Sequence, residues 1–206
     1  LIKNIIDILK LYNINCFKII IKSNNKCVFL DRDGVINEDI GYLCDIDKLQ
    51  FISGSLEAIR LLQERGFTIV IITNQSGLAR GYFDLAQFNF FMDYYFEQLF
   101  NAGIRKPFLY FCPHHPSGTV KSFTKECDCR KPLPGMLLRA AAELKINLYN
   151  SYFIGDKLTD MEAGLAAGIS NLFLLSQEKK IESSGIKIII SDCLLSVAKS
   201  LVTNSN

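Results

Sequence analysis

The sequence predicts a Rossmann-like, three-layer α/β/α domain on a mostly parallel sheet. Short, near-continuous apolar runs recur along the chain, and segments of helical periodicity separate them. Strands that are apolar on both faces are what a sheet covered by helices on each side requires. Polar, chemistry-bearing residues also cluster at the carboxyl ends of these runs, where open α/β sheets bind ligands.

The elements follow in order. The first 25 residues, opening "LIKNIIDILKLYNINCFKIII", are apolar enough for a helix. Asp7 and Lys10 interrupt any signal-peptide core, and no small-residue cleavage site follows, so residues 1–25 read as an N-terminal extension. "CVFL" (27–30), "FTIVIIT" (67–73), "FLYF" (108–111), "SYFIG" (151–155) and "NLFLL" (171–175) read as buried strands, with "IKIII" (186–190) a sixth. Between them Ser55–Arg65, Asp84–Ala102, Pro134–Leu144 and Leu158–Ala167 carry helical spacing. Gly66, Gly103 and Gly168 stand where those helices would stop. No repeat or low-complexity linker divides residues 26–206, which read as one domain. No large insertion separates the motifs, so no bulky cap domain is expected.

Composition narrows the functional classes. The chain has 206 residues, 49% of them hydrophobic, enough to bury a core. Its net charge of +2 creates no global field toward nucleic acid or membrane. No apolar run approaches the roughly 18 residues of a membrane helix. Seven cysteines are an odd number, and Cys16, Cys27, Cys44 and Cys193 are scattered. That usage speaks against a secreted disulfide scaffold and for a reducing, cytoplasmic setting.

The strand ends carry the chemistry. Asp31 and Asp33 in "DRDG" are two apart, so their side chains can lie on one side of an extended chain. Close carboxylates repel unless a cation or shared proton compensates. Asp156 arrives from a later strand end in "GDKLTD", with Asp160 following. Such an oxygen-rich cluster suits Mg²⁺, a hard cation. As a lone motif "DG" is a common turn dipeptide; the second acidic strand end weighs against that reading. Thr73 and Asn74 can offer hydroxyl, amide and backbone N–H groups to an anion at a helix start. Lys131 supplies a point charge for a phosphate, and Arg130 can grip a second anion bidentately. Nucleophilic carboxylate, metal, phosphate-binding hydroxyl and lysine together suit phosphoryl transfer through an aspartyl-phosphate.

"FLDRDGVIN", "TNQSGLARG", "CRKP" and "GDKLTDM" together resemble the four motifs of the haloacid dehalogenase superfamily of phosphatases, over about residues 27–176. The resemblance, which extends through "GYLCDIDKLQFISG", implies a phosphoric monoester hydrolase acting on a phosphorylated sugar. It implies a sugar bisphosphatase, with a place in lipopolysaccharide core synthesis. By resemblance, Asp31 would be the nucleophile and Asp33 the general acid and base, with Thr73 and Lys131 stabilising the transferring phosphoryl group. Mg²⁺ would be held by Asp31, the Asp33 backbone carbonyl and Asp156. Substrate contacts would fall to Asp39, Gly41, Tyr42, Asn74, Gln75, Ser76, Arg130 and Lys157. The chain departs from the pattern at Ile40, where a polar residue, often histidine, is expected.

"CPHHPSGTVKSFTKECDCRKP" (112–132) holds both histidines and three cysteines. Cys112-x-His114 and Cys127-x-Cys129 offer four ligands, a closed set that suits structural Zn²⁺. The resemblance places the metal on His114 rather than His115. A direct Cys127–Cys129 disulfide would be strained, and a nucleic-acid zinc ribbon would need a denser basic surface than Lys121 and Lys125 supply. The related histidinol-phosphate phosphatases share these motifs but tend to carry "TNQDG" and a shorter loop. A non-catalytic zinc-stabilised module would have no need of Asp31, Asp33, Lys131 and Asp156 together. A monomer with no nucleic-acid or membrane partner is expected.

Overall fold

A computed structural model of the chain describes residues 26–177 and 188–203. The N-terminal extension (1–25) and the first two residues of the expected sixth strand lie outside these.

The strands are β1 (Cys27–Leu30), β2 (Thr68–Asn74), β3 (Phe108–Cys112), β4 (Tyr152–Gly155), β5 (Asn171–Leu175) and β6 (Ile188–Ser191). They form one six-stranded sheet in the order β3-β2-β1-β4-β5-β6. Every pairing is parallel, with Leu30 beside Ile71 on one flank and Ile154 on the other. The helices are α1 (Ser55–Glu64), α2 (Gly77–Arg80), α3 (Leu85–Asn101), α4 (Gly135–Leu144), α5 (Leu158–Ala166) and α6 (Leu194–Thr203).

Strand alternation sorts the core into two layers. Val28, Leu30, Ile69 and Ile71 pack with Ile59 and Leu62 of α1, Phe88 and Tyr95 of α3, and Val197 and Leu201 of α6. Their alternates, Cys27, Phe29, Val70 and Ile72, pack with Met136 and Ala140 of α4 and Met161 of α5. All eight strand side chains are at most 2% exposed, which is why these runs read as continuously apolar. A capping box starts α3: Asp84 accepts from the Gln87 N–H at 2.8 Å, and Gln87 Oε1 accepts from the Asp84 N–H at 2.9 Å.

The expected elements that fall within the described residues are present within about a residue at each end, and two helices are additional. Helix α2 lies inside "TNQSGLARG" and is too short for a periodic signal. Helix α6 buries Leu194, Val197, Ala198, Leu201 and Val202, an i, i+3, i+4, i+7, i+8 stripe. Among the described residues no separate cap is built: the β1–α1 and β3–α4 connections cross the sheet's carboxyl edge as loops. No described helix is long and apolar enough to cross a membrane.

Candidate active site

The sheet grows from β1 outward to β3, and the chain then crosses back to place β4 on the other side of β1. Asp31 leaves β1 and Asp156 leaves β4 at this switch point, where α/β sheets open a crevice. The Asp31 N–H donates to the Ile154 carbonyl at 3.0 Å, extending the β1–β4 pairing by one residue. Gly34 has φ +82°, and a Cβ there would collide with Asp156 Oδ2, so glycine lets the turn after β1 sit against Asp156.

Ligand atoms of Asp31, Asp156 and Asp160 lie within 4.8 Å of one another. Lys131 reaches them from the β3–α4 loop. Its Nζ is 2.9 Å from Asp31 Oδ1 and 2.6 Å from Asp160 Oδ1, and it donates to the Ile72 carbonyl at 3.0 Å. Burial works against the Lys131 charge, but Asp31 and Asp160 overcome it and hold the ammonium's pKa above its ordinary value. Burial also raises the Asp31 carboxyl to about 7; Lys131 opposes the rise and Asp160 adds to it. Asp31 Oδ1 takes both Lys131 and the Arg32 N–H (2.7 Å).

These carboxylates fit a divalent cation. Asp156 Oδ1 is buried with no hydrogen-bond partner, and burial raises its carboxyl above the ordinary range. Lys131 and Lys157, the latter shared with Asp39, leave the three clustered carboxylates short of positive charge, and a hard divalent ion supplies the remainder.

Asp33 behaves differently from the sequence expectation. The extended chain ends at Leu30, and a turn begins in which Ile36 N–H donates to the Arg32 carbonyl at 2.9 Å. The two-residue alternation therefore breaks, and the Asp33 carboxylate accepts from Arg32, Asn37 and Gln75 instead of joining the carboxylate cluster. The metal contact expected of Asp33 is its backbone carbonyl, which does not require that side chain.

Thr73 is buried beside the cluster, and its Oγ1 accepts from Gln75 Nε2 at 2.8 Å, so its own hydroxyl proton remains available to donate. Asn74 clamps the Lys131 backbone reciprocally: Oδ1 accepts from its N–H at 3.1 Å, and Nδ2 donates to its carbonyl at 3.2 Å. Ser76 begins α2, its carbonyl accepting from the Arg80 N–H at 3.0 Å.

The other expected contacts rim the site. Lys157 Nζ bridges Asp39 (2.7 Å) and Asp156 (3.6 Å). Burial pulls the Lys157 ammonium's pKa down, but the Asp39 hydrogen bond and the Asp156 charge hold it above its ordinary value. Gly41 N–H donates to Asp39 Oδ1 at 3.0 Å, and Tyr42 adopts φ 47°. Ile40 is 52% exposed on this loop. Arg130 Nη1 is buried without an acceptor. His115 stands apart from the cysteines, with Nε2 3.0 Å from Arg80 Nη2.

Cys112, His114, Cys127 and Cys129 converge as the spacing suggested. Their sulfurs are 3.2 to 3.5 Å apart, and His114 Nδ1 is 3.3 Å from Cys129 Sγ. Disulfide sulfurs would be about 2.05 Å apart; these cysteines are free. About 2.3 Å bonds to a tetrahedral Zn²⁺ would set sulfurs roughly 3.8 Å apart, so a slight expansion of this cluster would accept the ion.

Sequence reasoning passed over Arg32 and left the Lys131–Asp160 pair unseen. The hint for Arg32 was its place between two aspartates; its complete burial depends on α3, which the local motif does not contain.

A six-stranded parallel sheet with carboxylates, lysine and threonine at its switch point is the architecture of a phosphoryl-transfer hydrolase. The chain belongs to the haloacid dehalogenase-like hydrolases, whose family model matches residues 6–168. Among its relatives, the D-glycero-beta-D-manno-heptose-1,7-bisphosphate 7-phosphatase of Yersinia pestis is 48% identical over 158 residues, 77% of this chain and 84% of that protein. The enzyme of the same description from Escherichia coli (strain K12) is 47% identical over 154 residues, 75% of this chain and 81% of that one. The crystal structure of D,D-heptose 1,7-bisphosphate phosphatase from B. bronchiseptica, complexed with magnesium and phosphate, superposes with a TM-score of 0.74 at 34% identity. The match covers 87% of this chain and 99% of that one.

Proposed function

We propose that this chain is a Mg²⁺-dependent phosphatase that removes the 7-phosphate of D-glycero-β-D-manno-heptose 1,7-bisphosphate. The observation that carries the reading is Asp31, buried and half-satisfied, with Lys131 2.9 Å from one oxygen and Asp156 and Asp160 alongside. The likeness to the heptose bisphosphatases supplies the substrate.

In the first half-reaction Asp31 Oδ2 attacks phosphorus, and the bond from phosphorus to the sugar oxygen breaks. Asp33, swung from Arg32 toward that oxygen and protonated there by solvent, gives its proton to the departing alkoxide. The sugar leaves as an alcohol, and Asp31 carries the phosphoryl group. In the second half, Asp33 as a carboxylate takes a proton from water, whose oxygen attacks phosphorus. The bond to Asp31 breaks, inorganic phosphate leaves, and both side chains return to their starting states.

Lys131 and the Thr73 hydroxyl stabilise charge on the transferring oxygens, in a site whose burial strengthens each contact. Asp31, Asp156 and the Asp33 carbonyl would hold Mg²⁺, which would offset the carboxylate charge facing an anionic substrate. Arg130, with an unmet buried donor, takes the far phosphate; Lys157 and the Asp39–Tyr42 loop, with Asn74, Gln75 and Ser76, contact the sugar. Zn²⁺ in the Cys112–His114–Cys127–Cys129 cluster would fix the loop whose exit carries Arg130 and Lys131. The free thiols support a reducing, cytoplasmic setting, and the chain is proposed to act as a monomer.

The heptose enzymes among its relatives weigh against histidinol phosphate as substrate. Phosphate release across heptose 1,7-bisphosphate, fructose 1,6-bisphosphate and histidinol phosphate tests the reading, with Asp31→Asn as the control. The heptose bisphosphate should give the highest kcat/KM, and a preference for histidinol phosphate would overturn the assignment.

A further inference from the structure

Arg32 is among the largest fully buried side chains of the described residues, with 0% exposure. Its Nε donates to Asp33 Oδ1 at 3.1 Å, and its Nη2 lies 2.9 Å from both Asp33 oxygens. Nη2 also donates to the Leu43 carbonyl at 3.1 Å. The guanidinium carbon lies 5.3 Å from the Phe91 ring centroid, and Nη1 meets Met92 Sδ at 3.5 Å, so α3 seals it from water. Asn37 and Gln75 complete the enclosure, donating to Asp33 Oδ1 at 2.9 Å and to Oδ2 at 3.2 Å.

A guanidinium keeps its charge in protein interiors, and burying it unpaired is prohibitive. Its planar fork matches one carboxylate in one orientation. The pair therefore fixes where Asp33 rests. The bond to Leu43 ties the same cation to the loop that carries Asp39, Gly41 and Tyr42.

We propose that Arg32 is a positioning residue: from the core, it sets the placement of the Asp33 carboxylate for proton transfer and couples it to the substrate-contact loop. The proposal rests on the reading of Asp33 as the acid and base. Arg32 touches neither substrate nor phosphorus; it acts by limiting the positions from which Asp33 swings to the leaving oxygen.

The test compares Arg32→Met and Arg32→Lys on a sugar phosphate, whose leaving oxygen needs a proton, and on p-nitrophenyl phosphate, whose leaving group does not. Single-turnover transfer from the sugar phosphate should fall about a hundredfold in Arg32→Met, the lower end of what general acid catalysis contributes. KM for the sugar phosphate should rise as well, because the bond that ties the substrate-contact loop through Leu43 is lost, and aryl transfer should lose less than about fivefold. Arg32→Lys keeps the charge without the fork and should fall between, which keeps the test intact if the Met variant does not fold. Equal losses on both substrates would overturn the proposal, as would full sugar-phosphate activity in either variant. Asp33→Asn run in parallel separates the two claims. If it slows both substrates equally, the acid–base reading of Asp33 falls; if it discriminates and the Arg32 variants do not, only the role of Arg32 falls.

Discussion

Replacing Lys131 with methionine would keep most of its length and remove its charge. The ammonium is 3% exposed and contacts Asp31, Asp160 and the Ile72 carbonyl at 2.9, 2.6 and 3.0 Å. At an effective dielectric of about 20, each ion pair carries about 6 kcal/mol of direct attraction, most of it offset by desolvation. Removing one partner of such a buried pair costs about 3–5 kcal/mol, because the remaining charges are stranded. Lys131→Met should therefore lose about 3–5 kcal/mol of stability without divalent ions, and Mg²⁺ should restore part of it by supplying the missing positive charge. Turnover should not be restored: losing the donor proposed to stabilise the transferring oxygens should cost about 10²–10³ in kcat. Urea unfolding with and without Mg²⁺, paired with phosphate release, reads both effects. A variant within about 1 kcal/mol of wild type, with kcat reduced less than threefold, would refute the reasoning.

Asp31 gives a pH dependence. Below about 3.9, its unfolded value, the carboxyl is protonated in both states and costs nothing; in the metal-free fold its pKa is raised to about 7, so its cost grows from there and is complete above about 7. The melting temperature should thus gain more from Mg²⁺ at pH 8 than at pH 5, and an equal gain at both would contradict the burial argument. Arg130→Ala should raise KM for the bisphosphate with kcat little changed, whereas the reverse split would mean the far phosphate is held elsewhere. Cys127→Ser should leave near-native far-UV circular dichroism, remove zinc measured by elemental analysis and weaken activity, without rescue by added Mg²⁺. Asn74 still clamps the Lys131 backbone in that variant, so the loss should fall about tenfold short of that in Lys131→Met; full activity in a zinc-free protein would sever the loop from catalysis.

The central strands were legible because both of their faces are buried; the edge strands β3 and β6 stay apolar in sequence although Phe108 and Ile189 are exposed. Helix α6 carries its periodicity openly, but no strand-end motif draws attention to it. At the site, residue types on strand ends were readable and side-chain directions were not. Asp33 parts from Asp31 because the turn at Arg32 ends the strand alternation, a departure set by hydrogen bonds from Ile36 and Asn37. The contact between Lys131 and Asp160 depends on how the first turn of α5 sits beneath the β3–α4 loop. A buried Arg32 defies the expectation that arginine stays at the surface, and Phe91 and Met92, far along the chain, help to close over it.

The most direct test of the proposed reaction is ³¹P NMR of D-glycero-β-D-manno-heptose 1,7-bisphosphate incubated with the protein and Mg²⁺. The account predicts that the C7 phosphate resonance is replaced one for one by inorganic phosphate while the C1 phosphate persists, and that Asp31→Asn leaves both unchanged. Loss of the C1 resonance first, or an active Asp31→Asn variant, would contradict it.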